Sequence, residues 1–125
     1  NIPLYAISPV YQGSANRRRD RDLNGILFCD IPWVLSSSGL KPPYLQTIKN
    51  NIHQLWGSDA RRHPKLYALG VDAFDLTLRL NKMLILPLLG TNAATGTLYL
   101  QPDHRIYRQL QWAKFSGGLA RKIDA

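Results

Sequence analysis

Short apolar runs predict strands near both ends of the chain. Residues 3–8 form one run that ends at Ser-Pro, and residues 25–29 form a second run shortly before Pro32; both are typical of buried strands. Residues 95–100 and 106–115 alternate apolar and polar positions around a turn at 101–104, which predicts a closing β-hairpin. We expect Trp112 to pack inward from this hairpin.

Helical periodicity dominates the middle of the chain. Residues 44–56 place apolar side chains on one face, and the flanking Pro43 and Gly57 suit a helix start and a helix stop. Residues 65–82 predict a longer helix with a wide apolar stripe, so we expect it to be buried between layers. Gly70 costs this helix about 1 kcal/mol relative to Ala, a cost that a closely packed neighbour would justify. The stripe consists of Leu66, Leu69, Ala73, Leu76 and Leu80, widened by Tyr67, Val71, Phe74 and Leu78.

The order of these elements predicts an α/β or an α+β fold. The early strands do not alternate, which favours α/β, because strands covered on both faces lose the alternating pattern. With 125 residues the chain is long enough for one domain with its own core. It begins at Asn1 rather than Met, and we interpret it as a processed chain or a fragment. No apolar run approaches the length that predicts a transmembrane helix.

The net charge of +8 permits an acidic partner, an anionic lipid surface or nucleic acid, and equally an ordinary basic surface. The only local clusters of basic residues lie at 17–21 and 61–65. Neither cluster has the interleaved aromatic residues of a single-strand binding platform, and neither lies in a known nucleic-acid motif. We therefore expect no nucleic-acid partner.

Residues suited to catalysis or metal binding are sparse. Cys29 lies in an apolar run, where a free cysteine is usually buried and inert, and the three histidines are far apart in sequence. Asp72 and Asp75 are three residues apart on one predicted helix, and we favour a structural role over a catalytic pair. The sequence therefore predicts no enzyme, no metal and no cofactor.

Residues 30–33, Asp-Ile-Pro-Trp, directly follow a predicted buried strand. In open α/β folds the ends of strands line the ligand crevice. Trp33 would stack there on a flat ligand or a sugar; the alternative interpretation is a hydrophobic plug under the following loop.

The segments together resemble the C-terminal region of the LppC/LpoA family of Gram-negative lipoproteins, the penicillin-binding protein activators. The matching segments occur in the family's order and with similar spacing, and the resemblance spans nearly the whole chain. It is carried by PLYAIS at 3–8, DLNGILFCDIPW at 22–33, LYALGVDAF at 66–74, TGTL at 95–98 and RQLQWA at 108–113.

The resemblance implies an α/β fold of the type I periplasmic solute-binding class, in which the chain crosses three times between two lobes. This chain would be a fragment that contributes strands and helices to both lobes and ends in a β-hairpin. Residues 1–33 and 96–125 would belong to the second lobe and residues 34–95 to the first. Such a fragment exposes apolar helix faces and strand edges, so we expect it to pair with another copy or with the missing part of the domain.

The resemblance also implies a non-catalytic regulator of peptidoglycan synthesis. The family member would be anchored to the inner face of the outer membrane and would reach through the periplasm. Its partner would be the periplasmic part of a bifunctional penicillin-binding protein, with peptidoglycan as a further candidate. The alternative is a solute-binding module that closes on a small ligand, with Asp30, Trp33, Tyr67 and Asp72 at the cleft between the lobes.

Overall fold

The computed structural model describes residues 2–36 and 39–123. The first half contains β1 (Leu4–Ala6), a 3₁₀ turn (Ser8–Val10), α1 (Arg17–Asp20), a second 3₁₀ turn (Arg21–Leu23), β2 (Ile26–Asp30), α2 (Pro32–Leu35) and α3 (Pro43–Arg62). The second half contains α4 (Pro64–Ile85), β3 (Thr91–Ala93), β4 (Gly96–Leu100), β5 (Ile106–Gln109), β6 (Gln111–Ser116) and β7 (Leu119–Lys122). In the part of the chain so described, neither long helix combines the length and apolarity that a bilayer span requires.

The two ends of the chain meet in one sheet of strand order β1-β2-β6-β7, which we call the terminal sheet. β1 runs parallel to β2, and β6 runs antiparallel to both β2 and β7. In this register Phe28 lies opposite Ala113, so both side chains point to the same face. The predicted early strands are therefore confirmed, and they pair with the end of the chain.

One face of the terminal sheet carries an aromatic core. Phe28 and Phe115 stack with ring centroids 4.9 Å apart, and Tyr11 packs against both rings. Leu35 of α2 completes this cluster together with Ala113. On the opposite face Tyr5 meets Trp112 edge to face, with centroids 6.0 Å apart.

Trp112 corrects one expectation from the sequence. Its side chain is 36% exposed, whereas its neighbours Ala113 and Phe115 are 0% and 1% exposed. The inward parity of β6 is therefore the one opposite to Trp112. The reason is an interruption at Leu110, where the predicted single strand divides into β5 and β6, which belong to different sheets.

The second sheet is a three-stranded antiparallel one of order β3-β4-β5. The predicted hairpin exists between β4 and β5, with Leu100 opposite Ile106. Its buried residues Leu98 and Leu100 pack with Met83 near the end of α4. The hairpin thus lies against α4, and only β6 and β7 join the early strands.

Both predicted helices form, and each extends beyond the predicted end. α3 continues to Arg62, but the backbone at Trp56 leaves the helical region, at φ −133° and ψ 39°. The predicted stop at Gly57 is therefore present as a break within a longer helical segment. α4 continues to Ile85, three residues beyond the predicted end at residue 82.

The coverage of α4 differs from the expectation of a helix buried on most sides. Its buried positions are Pro64, Ala68, Asp72 and Met83. Much of the predicted apolar stripe is exposed in the described chain, including Leu66, Leu69, Phe74, Leu78 and Leu80. Periodicity identified an apolar surface correctly, but it did not identify what covers that surface.

Candidate functional site

Asp30 joins three segments of the chain at the end of β2. Its carboxylate is 1% exposed and accepts a hydrogen bond from the Ile31 backbone nitrogen at 2.8 Å. The other oxygen lies 2.9 Å from the Lys65 ammonium in the first turn of α4. Lys65 also donates to the Ser8 and Tyr11 carbonyl oxygens, at 3.1 and 2.9 Å. One ion pair thus holds the start of α4 against β2 and the turn that follows β1.

Asp72, seven residues after Lys65 on α4, makes a second connection between distant segments of the chain. Its carboxylate, 2% exposed, accepts hydrogen bonds from the backbone nitrogens of Ala94 and Thr95 at 2.9 and 2.7 Å. It also accepts one from the Thr95 hydroxyl. The turn between β3 and β4 is therefore fixed to the middle of α4 by charge-assisted hydrogen bonds, which are stronger than neutral ones.

The backbone around Trp33 connects these two carboxylates. The Trp33 backbone nitrogen donates to the Ala94 carbonyl oxygen at 3.0 Å, so α2, which follows β2, contacts the turn that Asp72 holds. We call Asp30, Trp33, Lys65, Asp72 and Ala94 the polar junction. It brings together three of the four residues that the sequence proposed as a ligand site.

The Trp33 ring occupies the apolar part of the junction. Trp33 is 1% exposed and packs with Leu40, Leu45 and Ala68. The Lys49 ammonium lies 5.4 Å from the ring centroid and donates to the Trp33 carbonyl oxygen. Burial lowers the pKa of Lys49. In the described chain Trp33 therefore acts as the hydrophobic plug that the sequence left open as an alternative.

Tyr67 lies apart from the polar junction, beside the space between α3 and α4. Its hydroxyl donates to the Asp59 carboxylate at 2.6 Å, and this hydrogen bond raises the pKa of Tyr67. The four proposed ligand residues are thus divided between a buried junction and a surface. A cleft that uses all four stays a prediction.

The space beside Tyr67 is an open apolar groove of about 1070 Å³ between α3 and α4. We call it the α3–α4 groove. Gly70 lies on its floor, and Trp56, Leu66, Phe74 and Leu78 are its strongly exposed members. The remaining lining residues are Tyr44, Ile48, Ile52, Asp59, Tyr67, Val71 and Asp75.

The rim of the α3–α4 groove is polar and internally paired. Tyr44 donates to Asp75 at 2.8 Å, and Arg79 forms an ion pair with the same carboxylate at 2.8 Å. The Arg79 guanidinium also lies over the Tyr44 ring, 4.9 Å from its centroid. Burial, together with the hydrogen bond to Asp75, raises the pKa of Tyr44 to about 12. The rim therefore fixes α3 against α4 and leaves the apolar interior open.

The buried carboxylates described here have structural partners. Asp20, 1% exposed, forms a bidentate pair with Arg19, and the carboxylates of Asp30 and Asp72 are held as above. Burial raises the pKa of Cys29, which makes its thiol a poorer nucleophile. Within residues 2–36 and 39–123 no three His, Cys, Asp or Glu side chains come together as a metal site would require. This arrangement is suited to holding segments together.

Sequence reasoning found Asp30 and Asp72 but missed their partners. Lys65 lies in the basic cluster at 61–65 and Thr95 in the TGTL segment at 95–98, but neither feature indicates a carboxylate partner. The hydrogen bonds of Asp72 join residues 22 and 23 positions apart, so only the folded chain shows them.

Comparison with known proteins places this architecture. Residues 1–118 match the model of a protein family described as "LppC putative lipoprotein". The chain belongs to the LppC family. The predicted family resemblance is thereby confirmed.

Relatives of this LppC chain are named "Penicillin-binding protein activator LpoA". The protein of Erwinia tasmaniensis is 33% identical over 121 residues, which cover 94% of this chain and 16% of the relative. The protein of Vibrio vulnificus is 27% identical over 99 residues, covering 79% of this chain and 15% of the relative. The chain thus spans about one sixth of the length of these curated relatives.

The solved C-domain of LpoA (YraM) from Haemophilus influenzae, described as a regulator of PBP1A, has a similar fold. It matches 99% of this LppC chain with a TM-score of 0.67 and 24% sequence identity, and the match covers 37% of that domain. The predicted α/β fold class is confirmed by this likeness.

Proposed function

We propose that this LppC chain is part of a non-catalytic regulator of peptidoglycan synthesis that binds and activates a bifunctional class A penicillin-binding protein. The observation that carries the proposal is the family match across residues 1–118, together with relatives named as penicillin-binding protein activators. The partner would be the periplasmic part of the synthase, with peptidoglycan as a further contact. The protein would work in the periplasm, anchored to the inner face of the outer membrane.

The internal chemistry of the chain supports a binding role. The buried carboxylates of Asp20, Asp30 and Asp72 are each held by a cation or by backbone nitrogens. A general acid or base needs a proton-donating or proton-accepting atom that faces a substrate. These carboxylates face cations and backbone nitrogens of the chain itself, which suits a scaffold.

We further propose the two-lobed organisation, with residues 1–33 and 96–125 in the second lobe and residues 34–95 in the first. The division of the strands into two sheets supports two centres of packing. The contacts of β4 and β5 with α4 favour moving the final boundary from Gly96 to the region of Leu110. On this organisation the polar junction ties the crossing segments together.

The test is a binding and stimulation assay with the intact lipoprotein and the periplasmic part of a class A penicillin-binding protein from the same organism. We expect a complex in a pull-down and faster peptidoglycan synthesis in the presence of the lipoprotein. The same lipoprotein with residues 1–123 deleted serves as the comparison and should no longer stimulate peptidoglycan synthesis. An intact protein that neither binds nor stimulates the synthase would contradict the proposal.

A further inference from the structure

A cavity of about 410 Å³ lies where the start of α3, the end of α4 and the start of β3 meet. Its volume falls within the range of about 300–1,000 Å³ that is typical of small-molecule sites. We call it the basic cavity, because the described residues that line it include no carboxylate but three cations: Lys41, Arg79 and Lys82. Apolar side chains form much of the remaining wall: Pro42, Pro43, Met83, Leu86 and Leu89.

Arg79 is held in place at this wall, and part of its guanidinium is left unused. It forms an ion pair with Asp75 at 2.8 Å, lies over the Tyr44 ring and donates to the Tyr44 hydroxyl through Nη2. Among the described residues, no acceptor forms a hydrogen bond with Nη1. A guanidinium presents five N–H donors in a fixed fork, so Arg79 can still bind an anion. Asp75 and Tyr44 therefore preorganise an anion-binding group.

The two lysines come from separate elements. Lys82 lies three residues after Arg79 in the last turns of α4, where the helix dipole alone favours a cation. Lys41 lies two residues before α3 begins at Pro43, where the dipole disfavours a cation. No carboxylate of the described residues forms an ion pair with either lysine. The position of Lys41 is therefore unfavourable in this part of the chain unless an anion enters the cavity.

The charge and the lining together define the ligand. Asp75 offsets one of the three positive charges, which leaves a net charge of +2 for a dianion to neutralise. The apolar wall favours an organic body over a bare inorganic ion, and the side chains of Thr91 and Asn92 can hydrogen-bond to amide groups. Among the described residues no aromatic ring lines the cavity, so a nucleobase would find no ring on which to stack.

We propose that the basic cavity is a binding site for a short peptide with two carboxylates, one held by Arg79 and Lys82 and the other by Lys41. The inference rests on the cavity alone and does not depend on the proposed function. The site also differs from the cleft expected from the sequence, because the lining of the basic cavity includes none of the four residues of that cleft, Asp30, Trp33, Tyr67 and Asp72.

Isothermal titration calorimetry of the intact lipoprotein with the tripeptide acetyl-Ala-Glu-Ala tests the proposal. This probe carries a side-chain carboxylate, a C-terminal carboxylate and no cation. We expect a Kd on the order of 0.1 mM at low salt, which rises as added salt screens the charges. The neutral peptide acetyl-Ala-Gln-Ala-amide and inorganic phosphate should each bind at least about tenfold more weakly, since each lacks one part of the match.

Two double variants separate the cavity from the general positive charge of the protein. Lys41→Gln with Lys82→Gln should raise the Kd at least ~10-fold. Lys114→Gln with Arg121→Gln is the matched control, because it removes the same charge from β6 and β7, outside the cavity, and should change the Kd by no more than about twofold. All four side chains are exposed, so both proteins should keep the melting temperature of the unsubstituted one.

The intact lipoprotein is the decisive material for these measurements. The match with this chain covers 37% of the solved C-domain, so further segments of such a domain can reach the cavity. An intact lipoprotein that does not bind acetyl-Ala-Glu-Ala would overturn the proposal, and so would inorganic phosphate that binds as tightly as the peptide. An equal loss of affinity in the two double variants would show that only the net charge matters, and the site would then be wrong.

Discussion

Replacing Asp72 by Ala should destabilise the chain more than any exposed carboxylate substitution does. The carboxylate is 2% exposed and is the acceptor for two backbone nitrogens and one hydroxyl in the turn between β3 and β4. Ala94 and Thr95, which supply these donors, are 0% and 3% exposed. Alanine offers no acceptor, so the donors lose their partner in a buried environment.

The magnitude follows from the two backbone nitrogens. Each buried donor left without an acceptor costs about 1–3 kcal/mol, and entering water recovers part of this cost. We therefore expect Asp72→Ala to lower the free energy of unfolding by about 3–4 kcal/mol. Thr95→Val removes only the hydroxyl donor, keeps both backbone hydrogen bonds and should cost about 1 kcal/mol.

Urea unfolding followed by circular dichroism measures these differences. Asp103→Ala is the control, because Asp103 also accepts a backbone hydrogen bond, from Arg105 at 3.1 Å, but its side chain is 60% exposed. This control should change stability by no more than about 0.5 kcal/mol. Hydrogen exchange of the Ala94 and Thr95 amides should accelerate selectively in Asp72→Ala. If Asp72→Ala costs no more than Asp103→Ala, the carboxylate does not hold the turn and the reasoning fails.

Three further predictions concern other groups. Lys65→Met leaves the buried Asp30 carboxylate without its cation and should lower the free energy of unfolding by about 2–4 kcal/mol in urea titrations; a loss below about 1 kcal/mol would contradict the ion pair. Cys29 should react with iodoacetamide at pH 8 more slowly than an unfolded control, because burial raises its pKa; equal rates would refute this. Burial and the nearby Lys49 lower the pKa of His53, so the unfolded chain binds the proton more tightly and stability falls as the pH drops below 6.5. His53→Gln should remove that part of the decrease between pH 7.5 and pH 5, and an unchanged pH profile would show that His53 contributes nothing.

Local patterns in the sequence predicted the elements of this fold well. β2 and α4 lie where an apolar run and a 3.6-residue period predicted them, because local propensity and the buried face agree there. Gly57 also marked a true interruption, which appears as the break at Trp56. Helical structure resumes after this break and continues to Arg62.

Longer-range packing could not be predicted from the sequence. Phe74 and Leu78 belong to the apolar stripe of α4 but remain exposed, whereas the polar Asp72 is buried. Periodicity reports which side chains are apolar; the hydrogen bonds to the Ala94–Thr95 turn determine which face the rest of the chain covers. The interruption of the strand at Leu110 could not be predicted either, since no local signal shows that β5 and β6 enter different sheets.

For the candidate site, the sequence identified charged residues but not their use. Asp30 was selected because it follows a buried strand, and that position is correct. Its partner Lys65 lies 35 residues further along the chain, and the pairing depends on how α4 returns to β2. A candidate residue can be found by inspecting the sequence, whereas an ion pair between two distant segments can be found only from the fold.

The pairing of β2 with β6 has a consequence for the order in which the chain folds. Leu27 lies opposite Lys114, so these strands close a loop of about 90 residues, whereas α3 and α4 are neighbours in sequence. Local contacts form faster than such distant ones, so the helical pair should assemble while the terminal sheet is still open. During synthesis, β6 leaves the ribosome after α3 and α4. The nascent chain would therefore present these helices for some time before β2 and β6 pair.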